Sequence, residues 1–207
     1  MKRIGILFGG KSGEHEVSLL SASAVAEAVD RDKFEIVMIG ITRDGCWKRF
    51  NGDISALPGG SWEEEAEDME VSDLKDMIDF ALPILDGTIQ GLFEMLDLPY
   101  GGCGVLSSAL CMDKVSAKKI FEKEGIPTGR YKLVYAEDFC EDPEEVIREI
   151  EECLPYVMFV KPSNMGSSVG ISRASCRKEL KAGLELAARY DRRIIVEEGI
   201  DCREVET

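Results

Sequence analysis

Lys161-Pro162-Ser163-Asn164-Met165-Gly166-Ser167-Ser168-Val169-Gly170 follows the apolar run Val157-Met158-Phe159-Val160 and precedes Ile171-Ser172. The run has the length and the β-branched or aromatic content of a buried strand, and Ile171-Ser172 reads as the return strand of a hairpin. A loop of glycine and serine between two strands exposes backbone N–H groups and hydroxyls, with few side chains to hold a ligand away. It can therefore fold closely over an anion. Lys161 adds a point charge for a phosphate oxygen. The same ten residues also fit an ordinary hairpin tip with a solvated lysine, so the choice depends on what surrounds them.

With 207 residues and 44% hydrophobic content, the chain can form one large or two small domains with a real core. The formal charge of −15 argues against a nucleic-acid surface, which needs a basic face. Any phosphate site must therefore be local. The seven cysteines (Cys46, Cys103, Cys111, Cys140, Cys153, Cys176 and Cys202) form no Cys-x-x-Cys pair. With His15 as the one histidine, zinc-type ligand spacing is lacking too. That usage predicts a reducing, cytoplasmic compartment. The apolar run after Lys2-Arg3 is too short for a signal peptide or a membrane span, so a soluble protein with no membrane partner is expected.

Toward the N-terminus, Ile4-Gly5-Ile6-Leu7-Phe8 reads as a buried parallel strand and Gly9 to Gly13 as a loop. Val17, Leu20, Ala24, Val25 and Ala28 then recur as the expected apolar face of a helix, and Phe34 to Ile41 reads as a second strand. This order predicts a βαβ unit of a doubly wound α/β domain, with ligands at the carboxyl end of the first strand. Gly5 to Ser12 formally fits the P-loop expression, but its spacers begin Ile6-Leu7-Phe8, which belong to the strand; a true P-loop needs them in a turn. Ser61 to Lys75, with Glu63-Glu64-Glu65 and Glu67-Asp68, reads as a solvated loop or short surface helix. Asp79 to Ile84 predicts a third strand and Ile89 to Leu96 a helix, which closes a first domain at residues 1–98.

Beyond the connector Pro99 to Gly104, helices are expected over Ser107–Met112 and Val115–Glu124, with Lys114 between them and Gly125 as a stop. A strand at Arg130–Tyr135, an acidic helix at Asp142–Cys153, the hairpin, a helix carrying Leu180, Leu184, Leu186 and Ala187, and a strand at Ile194–Glu198 complete the pattern. This alternation differs from the first half and predicts an α+β second domain, residues 99–207. Its last strand is expected to be an exposed edge.

Together, Gly9-Gly10-Lys11-Ser12-Gly13-Glu14-His15-Glu16-Val17-Ser18-Leu19, then Asp86-Gly87-Thr88-Ile89-Gln90-Gly91, then Leu106 to Lys114, then Lys161 to Gly170, resemble the D-alanine–D-alanine ligases of the ATP-grasp superfamily. The resemblance implies a Rossmann-like parallel-sheet N-terminal domain followed by an α+β ATP-grasp subdomain. It implies that ATP phosphorylates one D-alanine and that the amine of a second attacks the acyl phosphate, for peptidoglycan precursor synthesis. By resemblance, Glu14 holds the ammonium of the first D-alanine and Val17 lines its methyl pocket. Ser167 links the loop to Glu14 and the substrates, and Gly166 and Ser168 offer donors to phosphate. Lys114 and Lys161 neutralise the ATP phosphates, Glu197, Glu198 and Ile200 hold adenine, and Glu204 binds ribose. On periodicity alone Val17 also fits a core position.

The family pattern is departed from in two places. A His-Gly-containing loop that the family carries before Asp-Gly-Thr is absent, since Ile84-Leu85 runs straight into Asp86. The pattern also continues beyond Thr207, so the C-terminal ATP-grasp lobe, with the ligands for magnesium or manganese, is expected to be absent from this chain. The chain alone is then expected to be inactive, and a homodimer is what the family suggests for the complete form. D-alanyl-D-serine or D-alanyl-D-lactate ligation of the vancomycin-resistance type, and a non-catalytic nucleotide-binding remnant, remain as alternatives.

Overall fold

Strand β1 (Lys2–Gly9) pairs in parallel with β2 (Phe34–Ile41), Ile6 opposite Met38, and on its other side with β5 (Phe80–Pro83). In the computed structural model, which describes residues 1–85, 87–203 and 205, these strands belong to a unit spanning Met1–Leu110; a second spans Cys111–Thr207. Successive side chains of a strand point to opposite faces. Ile6, Phe8 and Met38 accordingly enter one core, with Leu19, Ala22 and Ala26 of α1 (His15–Ala28), while Leu7, Val37 and Ile39 enter another. Both faces are covered, which is why these strands are continuously apolar.

Two further strands, β3 (Trp47–Phe50) and β4 (Ala66–Asp68), extend this sheet antiparallel, giving the order β4-β3-β2-β1-β5. Helices α2 (Leu74–Met77) and α3 (Ile89–Met95) bring Leu74 and Phe93 to the second core, and α4 (Val105–Met112) follows. The expected solvated stretch Ser61–Lys75 is corrected here. Trp62 is 1% exposed and packs edge-on against Phe8, with ring centroids 5.1 Å apart. Its ring lies where a Cβ on Gly40 would be, so a bare backbone at Gly40 makes room for it. One large aromatic anchors an otherwise acidic surface run.

The expected face of α1 is also corrected. Val17 is 41% and Leu20 56% exposed, whereas His15, Ser18, Leu19, Ala22, Ser23 and Ala26 are buried. Ser18 is accommodated because its hydroxyl accepts from the Gly9 N–H at 2.7 Å and donates to the His15 carbonyl at 2.6 Å. Small side chains with local hydrogen bonds let the helix sit close to the strand loop, displacing larger apolar residues to solvent.

The second unit contains α5 (Lys114–Lys123), β6 (Tyr131–Tyr135), α6 (Ala136–Glu141), α7 (Pro143–Cys153), β7 (Met158–Pro162), β8 (Ser172–Ala174), α8 (Arg177–Ala187) and β9 (Arg193–Glu198). Helix α7 begins as its sequence dictates: the Asp142 carboxylate accepts from the Glu145 N–H at 3.0 Å and proline occupies the first turn. The sheet is antiparallel, in the order β6-β9-β7-β8. Strand β9 is therefore internal, not the edge expected, because β6 takes its second side. One face of the sheet, with Met158, Val160, Ile194 and Val196, is buried with Ile147, Ile150, Leu180 and Leu184 of α7 and α8. The alternate residues Phe159, Lys161 and Glu197 point to the other face.

Candidate functional site

In the first unit the chain turns sharply after β1. Gly9 and Gly10 have φ of +87° and +91°, and a Cβ on Gly9 would collide with the Ile41 carbonyl. The Gly10 N–H donates to that carbonyl at 2.7 Å, and buried His15 donates from Nδ1 to the Gly10 carbonyl at 2.8 Å. His15 thus braces the turn from inside. Gly5 to Phe8 lie within β1, so the formal P-loop spacers are strand residues. Glu14 stands at the start of α1, its N–H donating to Ser12 Oγ at 3.3 Å. A carboxylate at a helix start meets the positive end of the dipole. Val17 lies on the solvent side of α1, which removes the core alternative for it.

In the second unit, strand β7 delivers Lys161 to the polar face of its sheet, where its Nζ pairs with Glu197 Oε2. The other oxygen of that carboxylate, Oε1, pairs with Lys118 of α5 at 2.9 Å. Burial pushes the Glu197 carboxyl up, but the hydrogen bonds from Lys161 and Lys118 outweigh it and hold the group below its ordinary value. Lys118 was not among the residues the sequence singled out. Its signal was its spacing: it stands four residues after Lys114 on α5, one helical turn along.

The loop after β7 is held in an unusual conformation. Ser167 and Ser168 have φ of +48° and +62°, in the left-handed region, and Gly170 has +71°. For non-glycine residues this costs on the order of 1 kcal/mol each. The Val169 N–H donates to the Gly166 carbonyl at 3.0 Å, and Lys114 Nζ donates to the Met165 carbonyl. Lys114, Lys161 and the Gly166–Ser168 turn are thus assembled by one strand end and one helix start. Glu198, by contrast, faces Arg130, accepting from its N–H at 2.7 Å and from Nε at 2.8 Å. Ile200 is exposed. Glu204, and Asp86 of the Asp-Gly-Thr motif, lie outside the described residues.

Among the described residues no group of three or more His, Cys, Asp or Glu side chains is placed to hold a metal ion. No helix among them is long and apolar enough to cross a membrane. All seven cysteines are exposed and unpaired. What remains is a pair of cation-bearing elements around a small-residue loop, chemically suited to a polyphosphate.

Residues 3–103 match the family model described as D-ala D-ala ligase N-terminus, and residues 120–207 match D-ala D-ala ligase C-terminus. The D-alanine–D-alanine ligase of Thermoanaerobacter sp. (strain X514) is 46% identical over 228 residues, covering 99% of this chain and 62% of that protein. The crystal structure of VanG D-Ala:D-Ser ligase from Enterococcus faecalis has a TM-score of 0.79 at 38% identity, covering 97% of this chain and 63% of that one. The Bacillus anthracis D-alanine–D-alanine ligase complexed with ATP has a TM-score of 0.68 at 30% identity, covering 97% and 60%. The chain thus spans 62% of the length of the curated relative from Thermoanaerobacter.

Proposed function

The chain belongs to the D-alanine–D-alanine ligase family, whose members use ATP, and from that membership we propose that it carries the D-alanine- and ATP-binding part of an enzyme joining two D-alanines. The observation that carries this is the pairing of Lys161 with Glu197 beside a loop that Lys114 grips through the Met165 carbonyl. In the proposed reaction an oxygen of one D-alanine carboxylate bonds to the γ-phosphorus of ATP, the bond to the bridging oxygen breaks, and ADP leaves. The amine of the second D-alanine then attacks the acyl carbon; phosphate leaves and the amine loses a proton. Lys114 and Lys161 offset charge on the phosphates, and Gly166, Ser167 and Ser168 offer donors to them. Glu14 pairs with the first substrate's ammonium, and the exposed Val17 meets its methyl group. Glu197, Glu198, Ile200 and Glu204 are assigned to the nucleoside.

Magnesium or manganese would supply charge neutralisation to the complete enzyme, from ligands outside the described residues. A cytoplasmic location and a homodimer are further parts of the proposal for the full-length form; light scattering tests the latter. Calorimetric titration of ATP into the 207-residue chain tests the reading, with K161A expected to weaken binding by about tenfold or more. Absence of ATP binding overturns it. Turnover is assigned to the full length of the relatives, so D-alanine-dependent ADP release by this chain alone, lost in K161A, would overturn that assignment. D-serine and D-lactate in the same assay with the complete enzyme identify the second substrate.

A further inference from the structure

Glu197 has two counter-ions that are held very differently. Lys118 Nζ reaches Glu197 Oε1 at 2.9 Å, donates to the Gly129 carbonyl at 3.1 Å and lies 5.4 Å from the centre of the Tyr131 ring. Its side chain is 16% exposed. Lys161 pairs with Oε2 and lies 5.9 Å from the Phe159 ring, and its side chain is 25% exposed. It directly precedes Pro162 and the small-residue loop. One lysine is fixed on three sides; the other is freer and stands next to the candidate phosphate loop.

An anion arriving at that loop competes with Glu197 for Lys161. If Lys161 were the sole partner, its departure would leave a carboxylate that is 13% exposed without a counter-ion, which is strongly unfavourable. The second lysine removes that penalty. We propose that Lys118 is a positioning residue: it keeps Glu197 ionised and in place, so that Lys161 can be drawn onto a polyphosphate. The proposal rests on the reading of Lys161 as a phosphate-binding residue. It adds that phosphate affinity depends on a lysine that acts through Glu197.

Inorganic tripolyphosphate separates this role from any contact with adenine. It is titrated calorimetrically into the 207-residue chain as wild type, K118M, E197Q and K118M/E197Q, with urea unfolding midpoints recorded for each. K118M should weaken tripolyphosphate binding by about tenfold or more, because Lys161 is then captured by Glu197. E197Q should bind at least as tightly as wild type, since the capturing carboxylate is gone. Adding K118M in the E197Q background should then change affinity by less than about threefold. An effect of K118M equal in both backgrounds would mean that Lys118 simply adds positive charge, and would overturn the proposal. So would an unchanged affinity in K118M. If K118M does not fold, the E197Q arm still decides: weaker binding than wild type overturns the inference alone. Failure of wild type and E197Q alike to bind tripolyphosphate would overturn the inference, and titration of ATP into the wild-type chain would then decide the nucleotide reading separately.

Discussion

Asp113 and Arg193 form an ion pair that ties the first turn of α5 to the start of β9. Asp113 also caps α5, accepting from the Ser116 N–H at 2.7 Å. The Arg193 carbonyl receives the Ser163 N–H at 2.8 Å, and the Ser163 carbonyl receives the Lys114 N–H at 2.9 Å. Asp191 completes the set, taking the Asn164 N–H at 2.7 Å. One short segment at the head of β9 therefore registers Lys114 and the start of the loop together. Replacing Asp113 by alanine removes a helix cap and takes an anion from Arg193, whose Nε has no hydrogen-bond partner among the described residues. D113A should lower unfolding free energy by about 2 kcal/mol in urea titrations, and weaken ATP binding through Lys114. A stability change with unaltered ATP affinity would show that the network does not align Lys114.

Acid should weaken the second unit through the same groups. For Asp113, burial raises the carboxyl, but the Ser116 N–H, Arg193 and Ser163 together hold it below its ordinary value; Glu197 is likewise held low by its lysines. A carboxylate whose folded pKa lies below its unfolded one binds fewer protons when folded. Its stabilising contribution is present above the unfolded value of about 4 and is lost as pH falls through the lower folded values. Urea midpoints should fall from about pH 4 downward, and E197Q should flatten that fall. A pH profile identical in E197Q and wild type would remove Glu197 from the account.

Trp62 offers a test in the first unit. It is buried against Phe8, over the bare backbone of Gly40, so truncation leaves a large void. W62A should cost about 3–5 kcal/mol of unfolding free energy. A loss below about 0.5 kcal/mol, the range of surface substitutions, would place the residue at the surface in solution.

Strands were the legible part of this chain. The apolar runs behind β1, β2, β7 and β9 show through because each is buried on one or both faces and bounded by glycine, proline or a charged residue. Trp62 was hidden because it precedes three glutamates, and a charge run says nothing about the one residue beside it. Strand β6 covers the free side of β9 from far away in sequence, which no local pattern encodes. In the candidate site, the lysines and the small-residue loop were visible as residue types. Their arrangement was not: Lys118, Asp113, Asp191 and Arg193 act through contacts between distant elements. The left-handed φ of Ser167 and Ser168 is likewise imposed by the loop, not advertised by serine.

The face of α1 is the sharpest disagreement between apolar periodicity and packing, and two neighbouring leucines decide it. Leu19 is 1% exposed beside Ile6, Phe8 and Met38, whereas Leu20 is 56% exposed. Adjacent residues on a helix point about 100° apart, so both cannot enter the same core. L19A should cost about 2–5 kcal/mol by cavity formation, and L20A no more than about 0.5 kcal/mol. Urea unfolding of both variants at low protein concentration measures the difference. The reverse order would restore the face that periodicity favours, and would move Val17 from solvent into the core. Val17 could not then meet a substrate methyl group, so this comparison also bears on the D-alanine pocket.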